Sequence, residues 1–167
     1  MSEIKEVDLP YFKDDRGVFQ KLFNMEHPAL KDFQIKQLNQ VQTKEKRILR
    51  GLHYQAGEFA ESKLFKVTKG RIQLVAFCVN KASKTFLESS SFYLKETDSS
   101  ILIPKGFATG YLVLEENTEV LYCSDNVYEP KAEKGVAWND PHLTINWLVN
   151  HPILSEKDKS WETFHVN

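Results

Sequence analysis

Apolar positions along this chain fall into short runs, and several of the runs alternate apolar with polar residues. They cover residues 33–41, 48–53, 63–68, 71–79, 85–94, 100–104, 110–114, 118–124 and 144–148. The runs are rich in Val, Ile, Leu, Phe and Tyr, side chains that fit a pleated, half-buried surface. A period of two is the mark of a strand with one face in a core. Turn-forming residues separate the runs. Lys69-Gly70 predicts a tight hairpin, and Pro104-Lys105-Gly106 and Glu115-Glu116-Asn117 mark other turns. Helical spacing is confined to 24–31 and to the segment after Ser155, whose side-chain oxygen can cap a short final helix. Many short strands with frequent turns predict an all-β sandwich or barrel. No strand–helix–strand alternation is visible, which argues against a dinucleotide-binding fold.

Length and charge narrow the picture. A chain of 167 residues fits one domain and is long enough to bury a core. A net charge of −1 gives no field that would favour nucleic acid or an anionic membrane, and it leaves a local basic pocket for a phosphorylated small molecule open. Cys78 and Cys123 sit inside the apolar runs VAFCVN and VLYCSD, as buried thiols do more often than disulfides. The opening MSEIKEVDLP lacks the apolar stretch of a signal peptide, and no apolar run reaches the 18 residues of a membrane span. A reduced cytoplasmic setting is the expectation.

Among residues that could carry chemistry, His53 stands out at the end of ILRGLHYQ. An inward histidine can act as a base near neutral pH, or simply be a satisfied structural group. In a regular strand Arg50 and His53 face opposite ways, unless the intervening glycine marks a bulge. Lys63, in SKLFKVTKG, could hold negative charge on an oxygen, while Lys66 and Lys69 read as solvated strand-edge lysines. Arg16 and Arg50 could grip a diphosphate, although each alone is an ordinary surface ion-pair partner. Tyr122 reads as a core tyrosine and Asp158 as an exposed helix carboxylate. No pair of the five histidines has metal-ligand spacing, so a metal-free site without a cofactor is expected.

Several segments, in order and at similar spacing, resemble the dTDP-4-dehydrorhamnose 3,5-epimerase family. They are DDRGVF (14–19), QLNQ (37–40), ILRGLHYQ (48–55), KLFKVTKG (63–70), IPKGFATG (103–110), TEVLYCSDNVYEP (118–130), VAWNDPHLTINW (136–147) and ILSEKD (153–158). The resemblance implies a cupin jelly roll, a homodimer, no metal, and a nucleoside-diphosphate 4-keto-6-deoxy sugar as substrate. It assigns His53 as general base, Asp158 as its partner, Lys63 as holder of the enolate oxygen and Tyr122 as the acid on the opposite face. It also puts Arg16 and Arg50 on the diphosphate, Gln37 and Asn39 near the nucleotide, and Tyr128 against the base. Metal-binding cupins carry an HxH pair, whereas here Tyr54 and Gln55 follow His53.

The sequence departs from the family pattern at three places. Thr109 replaces the histidine of GFAHG, Lys21 replaces a glutamate after the DxRGxF motif, and Leu74 replaces an aspartate. A threonine can hydrogen-bond but cannot act as a cation or base, so the outcome could narrow to C3 or the accepted sugar could change. A 3,4-ketoisomerase and a non-catalytic sugar-nucleotide binding module are the alternatives to an epimerase.

Overall fold

The computed structural model describes residues 3–166. Their strands are β1 (Lys5–Val7), β2 (Tyr11–Asp14), β3 (Gly17–Gln20), β4 (Gln37–Thr43), β5 (Leu49–Gln55), β6 (Lys63–Lys69), β7 (Arg71–Cys78), β8 (Ser89–Lys95), β9 (Ser100–Ile103), β10 (Phe107–Val113), β11 (Thr118–Ser124) and β12 (Glu133–Gly135). One short helix, α1 (Glu156–Lys159), follows them. The strands make two five-stranded antiparallel sheets, ordered β1-β9-β6-β11-β4 and β12-β5-β10-β7-β8, in the expected jelly roll. β2 and β3 pair only with each other.

Alternation along the strands gives three apolar layers. Phe65, Val67, Ile72, Leu74, Tyr111, Val113 and Val120 fill the space between the sheets. Leu64, Leu102 and Cys123 point outward from the first sheet and pack under Leu30 and Phe33. Leu52, Val75, Phe77 and Ala108 point outward from the second and pack under Trp138, Ile145, Trp147 and Phe164. Each fully buried aliphatic side chain stabilises the fold by about 1.5–3 kcal/mol. Leu74, one of the departures from the family pattern, is fully buried in the central layer. Cys78 and Cys123 are free buried thiols, as their surroundings predicted.

Four local expectations are corrected. Lys69-Gly70 does not close a hairpin, because β6 and β7 belong to different sheets and the turn carries the chain from one to the other. Residues 24–31 form no helix but consecutive four-residue turns, in which His27 N–H donates to Asn24 O and Leu30 N–H to His27 O. Pro28 has no N–H to continue a helical ladder and disfavours helical backbone just before it. Residues 144–148 form no strand and lie outside both sheets. Their alternation is genuine, since Ile145 and Trp147 cover the second sheet. Their backbone bonds to the buried Gln73 side chain, which donates to Asn146 O at 2.9 Å and accepts from Leu148 N at 3.1 Å. Lys66 is buried rather than solvated, and its ammonium donates to the carbonyls of Glu96 (2.9 Å) and Asp98. The short strands β1, β2, β3 and β12 carried too few residues to show a period.

Candidate active site

Residues directly opposite one another on antiparallel strands share a face. In the first sheet Gln37 lies opposite Ser124 and Asn39 opposite Tyr122; Tyr122 in turn faces Phe65, and Ser124 faces Lys63. Phe65 belongs to the central layer, so this whole file points inward. In the second sheet His53 lies opposite Thr109 and Arg50 opposite Tyr111, itself a central-layer residue. The two files enclose a cleft with two halves. The outer half, about 360 Å³, is lined by Gln37, Asn39, Tyr128 and Glu133 among others. The inner half, about 260 Å³, reaches Arg50, Thr109, Tyr111 and Asp158. His53, Lys63, Tyr122 and Lys157 border both halves.

Arg50 and His53 face the same cleft because β5 is irregular between them. Arg50 to His53 is three residue steps, while their partners Tyr111 and Thr109 are two steps apart. The extra residue reverses the alternation, as a β-bulge does. Gly51 makes this possible. Its φ is +119°, and a Cβ there would lie 2.5 Å from Gly110 Cα.

His53 Nε2 is 2.6 Å from Asp158 Oδ1. The carboxylate is buried, which corrects the expectation of an exposed helix residue. Ser155 causes this. Its hydroxyl accepts from Asp158 N at 3.1 Å, starting α1, and donates to Asp158 Oδ2 at 2.9 Å, turning the carboxylate toward β5. Burial pushes the Asp158 carboxyl up, but hydrogen bonds and charge from His53, with help from Ser155 and the Gly51 N–H, outweigh it and leave Asp158 below its ordinary value. Trp161 sets an edge against the imidazole, with ring centroids 6.0 Å apart. Nδ1 of His53 accepts no hydrogen bond from the described residues and is the nitrogen left for a substrate proton.

Across the cleft, Tyr122 stacks on Phe65 with centroids 5.5 Å apart. Burial pushes its phenol up; the Glu61 carboxylate pushes it further and the Arg50 guanidinium opposes this. Lys63 Nζ is 3.1 Å from Glu61 Oε1, and both side chains are largely buried. The Tyr111 hydroxyl is buried without a hydrogen-bond partner among the described residues. Tyr128, half exposed, donates to Glu133 Oε2 at 2.6 Å, and Lys157 Nζ donates to the same oxygen at 2.6 Å. Gln37 Nε2 donates to Asn126 O at 2.9 Å, which fixes its amide at the outer rim.

The structure therefore gathers His53, Asp158, Lys63, Tyr122, Arg50, Gln37, Asn39, Tyr128 and Thr109 around one cleft. It does not bring Arg16 or Lys21 there within the chain. Arg16 stands in the β2–β3 turn with its side chain 90% exposed, paired with Asp14 at 2.6 Å. Lys21 borders a separate hollow beside Asp8 and Lys66. The expected Arg16–Arg50 pair is thus not formed within this chain. Glu61, Glu133 and Lys157 line the cleft without having been anticipated. Lys157 adjoins Asp158 inside a recognised motif, and Glu61 sits two residues before Lys63, the spacing that puts both on one face of an extended chain. Glu133 gave no such signal, being in a strand of three residues. Among the described residues no three His, Cys, Asp or Glu side chains gather as a metal site.

A histidine backed by a buried carboxylate, with a tyrosine and a lysine bordering the same cleft, is equipped to move protons. Residues 1–165 match the family described as dTDP-4-dehydrorhamnose 3,5-epimerase. The chain belongs to this family. The Escherichia coli epimerase is 37% identical over 153 residues, covering 89% of this chain and 82% of its own. The crystal structure of the Bacillus anthracis epimerase with TDP and PPi bound superposes with a TM-score of 0.89 at 32% identity, covering 97% of this chain and 100% of that one. The Legionella pneumophila epimerase, in complex with dTDP-4-keto-L-rhamnose, gives a TM-score of 0.86 at 28% identity over 96% of this chain and 93% of that one. These family members share the two-sheet frame that holds the cleft.

Proposed function

We propose that this protein is an epimerase of a nucleoside-diphosphate 4-keto-6-deoxy sugar, inverting C3 or both C3 and C5. The observation that carries the proposal is the His53–Asp158 pair, at 2.6 Å, with Tyr122 and Lys63 bordering the same cleft. A hydrogen next to a ketone is weakly acidic. His53 Nδ1 takes that proton, the C–H electron pair becomes the C=C bond of an enolate, and the carbonyl pair moves onto oxygen. Lys63 holds the oxygen, a contribution of about 10²–10³-fold for one such donor. Asp158 fixes the imidazole through Nε2 and balances its charge. Tyr122 returns a proton to the opposite face; the phenolate is then reprotonated from solvent, as His53 releases its proton there.

In this reading Arg50 binds the diphosphate, Gln37 and Asn39 meet the nucleotide, Tyr128 lies against its base, and Thr109 borders the sugar. Arg16 and Lys21 reach the nucleotide end from a second copy in a homodimer. The β2–β3 hairpin supports this. Phe12 and Phe19 are each 63% exposed with rings 6.3 Å apart, and an isolated two-stranded hairpin is marginal in water. The free thiols of Cys78 and Cys123 fit a reducing cytoplasm, and no helix among the described residues is long and apolar enough to cross a membrane.

The test is incubation with a dTDP-4-keto-6-deoxyhexose in D₂O, with the C3 and C5 protons followed by NMR. Deuterium at C3 with inversion supports the epimerase, and deuterium at both carbons extends it to C5. Movement of the ketone would mean an isomerase, and no wash-in would leave a binding module.

A further inference from the structure

Glu61 is a carboxylate placed inside the cleft but absent from the proton-transfer set described above. Its side chain and that of Lys63 retain only 8% and 13% of their exposure, and they pair at 3.1 Å. Both line the outer half of the cleft with Tyr122, and Lys63 continues into the inner half. A carboxylate in such a place is costly to bury unless it serves its neighbours. We propose that Glu61 is a positioning residue for the proton-return half of the reaction, kept in the cleft by its pairing with Lys63, which a glutamine oxygen can also make, and setting its own charge beside Tyr122. This rests on the epimerase reading.

The consequence concerns which hydrogen transfer each wall controls. Removal of the substrate proton belongs to His53, on the wall away from Glu61. Its return belongs to Tyr122, which must carry its proton when the enolate forms. Glu61 is the largest charged contributor to keeping that proton in place, after burial itself. The other titratable or charged groups around the phenol are Lys63 on β6, Arg50, His53 and Tyr54 on β5, Tyr111 on β10, Glu133 on β12, Tyr128 on the loop before it, and Lys157 and Asp158 on α1. Of these, Arg50 acts in the opposite direction and Glu133 in the same direction with a smaller effect. With Glu61 neutralised, Arg50 is less opposed and Tyr122 loses its proton at lower pH.

The test compares Glu61→Gln, which keeps size and hydrogen-bonding atoms, with Glu61→Asp, which keeps the charge. Deuterium wash-in and inversion are measured separately across the alkaline range. The expected result for Glu61→Gln is a fall of inversion at lower pH than in the wild type, roughly tenfold at the alkaline end, with wash-in changed less than about threefold. Glu61→Asp is expected to restore most of the profile. A second readout needs no turnover. The Tyr122 phenolate is titrated by its ultraviolet absorbance, as the difference between each protein and its Tyr122→Phe counterpart. Its midpoint should drop in Glu61→Gln. Superimposable inversion profiles and an unchanged Tyr122 midpoint would overturn the proposal, even if Glu61→Gln were less stable. A wild type that exchanges nothing would instead overturn the epimerase reading, while the absorbance titration still judged Glu61.

Discussion

The two walls of the cleft are built on different plans. On the β5–α1 wall the working pair is fixed by hydrogen bonds, with only Nδ1 of His53 left open. Asp158 accepts from His53 at 2.6 Å and from Ser155 at 2.9 Å, and an edge of Trp161 braces the imidazole. On the β6–β11 wall the groups are held by stacking and charge rather than by hydrogen bonds. Tyr122 lies on Phe65, and Lys63 meets Glu61. A base must be fixed in tautomer and direction before the substrate arrives, whereas a proton donor has to keep its O–H uncommitted until the enolate is beneath it. Under the proposed reaction, the contrast teaches that the cleft is fixed by hydrogen bonds where it would take a proton and uncommitted where it would give one back.

The largest expected effect that could break this contrast comes from the base. His53→Asn should lower deuterium wash-in at C3 by about 10²–10⁴-fold, as loss of a positioned base does. Wash-in at the wild-type rate would place the base elsewhere. Tyr122→Phe should act on only one of the two processes, reducing inversion by about 10²-fold while wash-in stays within about threefold, because the base wall is untouched. Equal losses in both would show that the walls do not divide the labour.

Smaller effects sharpen the same contrast. Gly51→Ala should destabilise the fold by at least about 2 kcal/mol in urea unfolding, since the positive φ and a Cβ 2.5 Å from Gly110 Cα both oppose it. The smallest effect is in acid. The Asp158 carboxyl lies below its ordinary value of 3.8 in the folded protein, so its contribution to stability is present above that value and fades as pH falls through the lower, folded one. Asp158→Asn should flatten this part of the stability curve below about pH 4, read as a smaller loss of melting temperature with acidification than in the wild type.

Much of the site was legible because the decisive residues lie in motifs with order and spacing: His53 in ILRGLHYQ, Lys63 in SKLFKVTKG, Tyr122 in TEVLYCSDNVYEP, Asp158 in ILSEKD. What was not legible has physical reasons. Period two identifies an extended segment but not its hydrogen-bond partner, so 144–148 read as a strand although the Gln73 side chain takes its backbone bonds. Nor does a turn reveal which sheets it joins, and Gly70 links two of them. The burial of Asp158 depends on how Ser155 turns a four-residue helix under β5, which no local pattern encodes. Arg16 stands at the turn of a hairpin whose strands pair with neither large sheet, so the folding of this chain alone does not carry it to the cleft.

The irregularity in β5 also works as a ruler. Arg50 and His53 are separated by Gly51 and Leu52 of one strand, and the strand is locked on both sides by β10 and β12. The spacing of the two residues along the cleft is therefore set by the backbone. If Arg50 and His53 act as proposed, this spacing selects for the number of bonds between the phosphate and the acidic carbon rather than for the other substituents of the sugar.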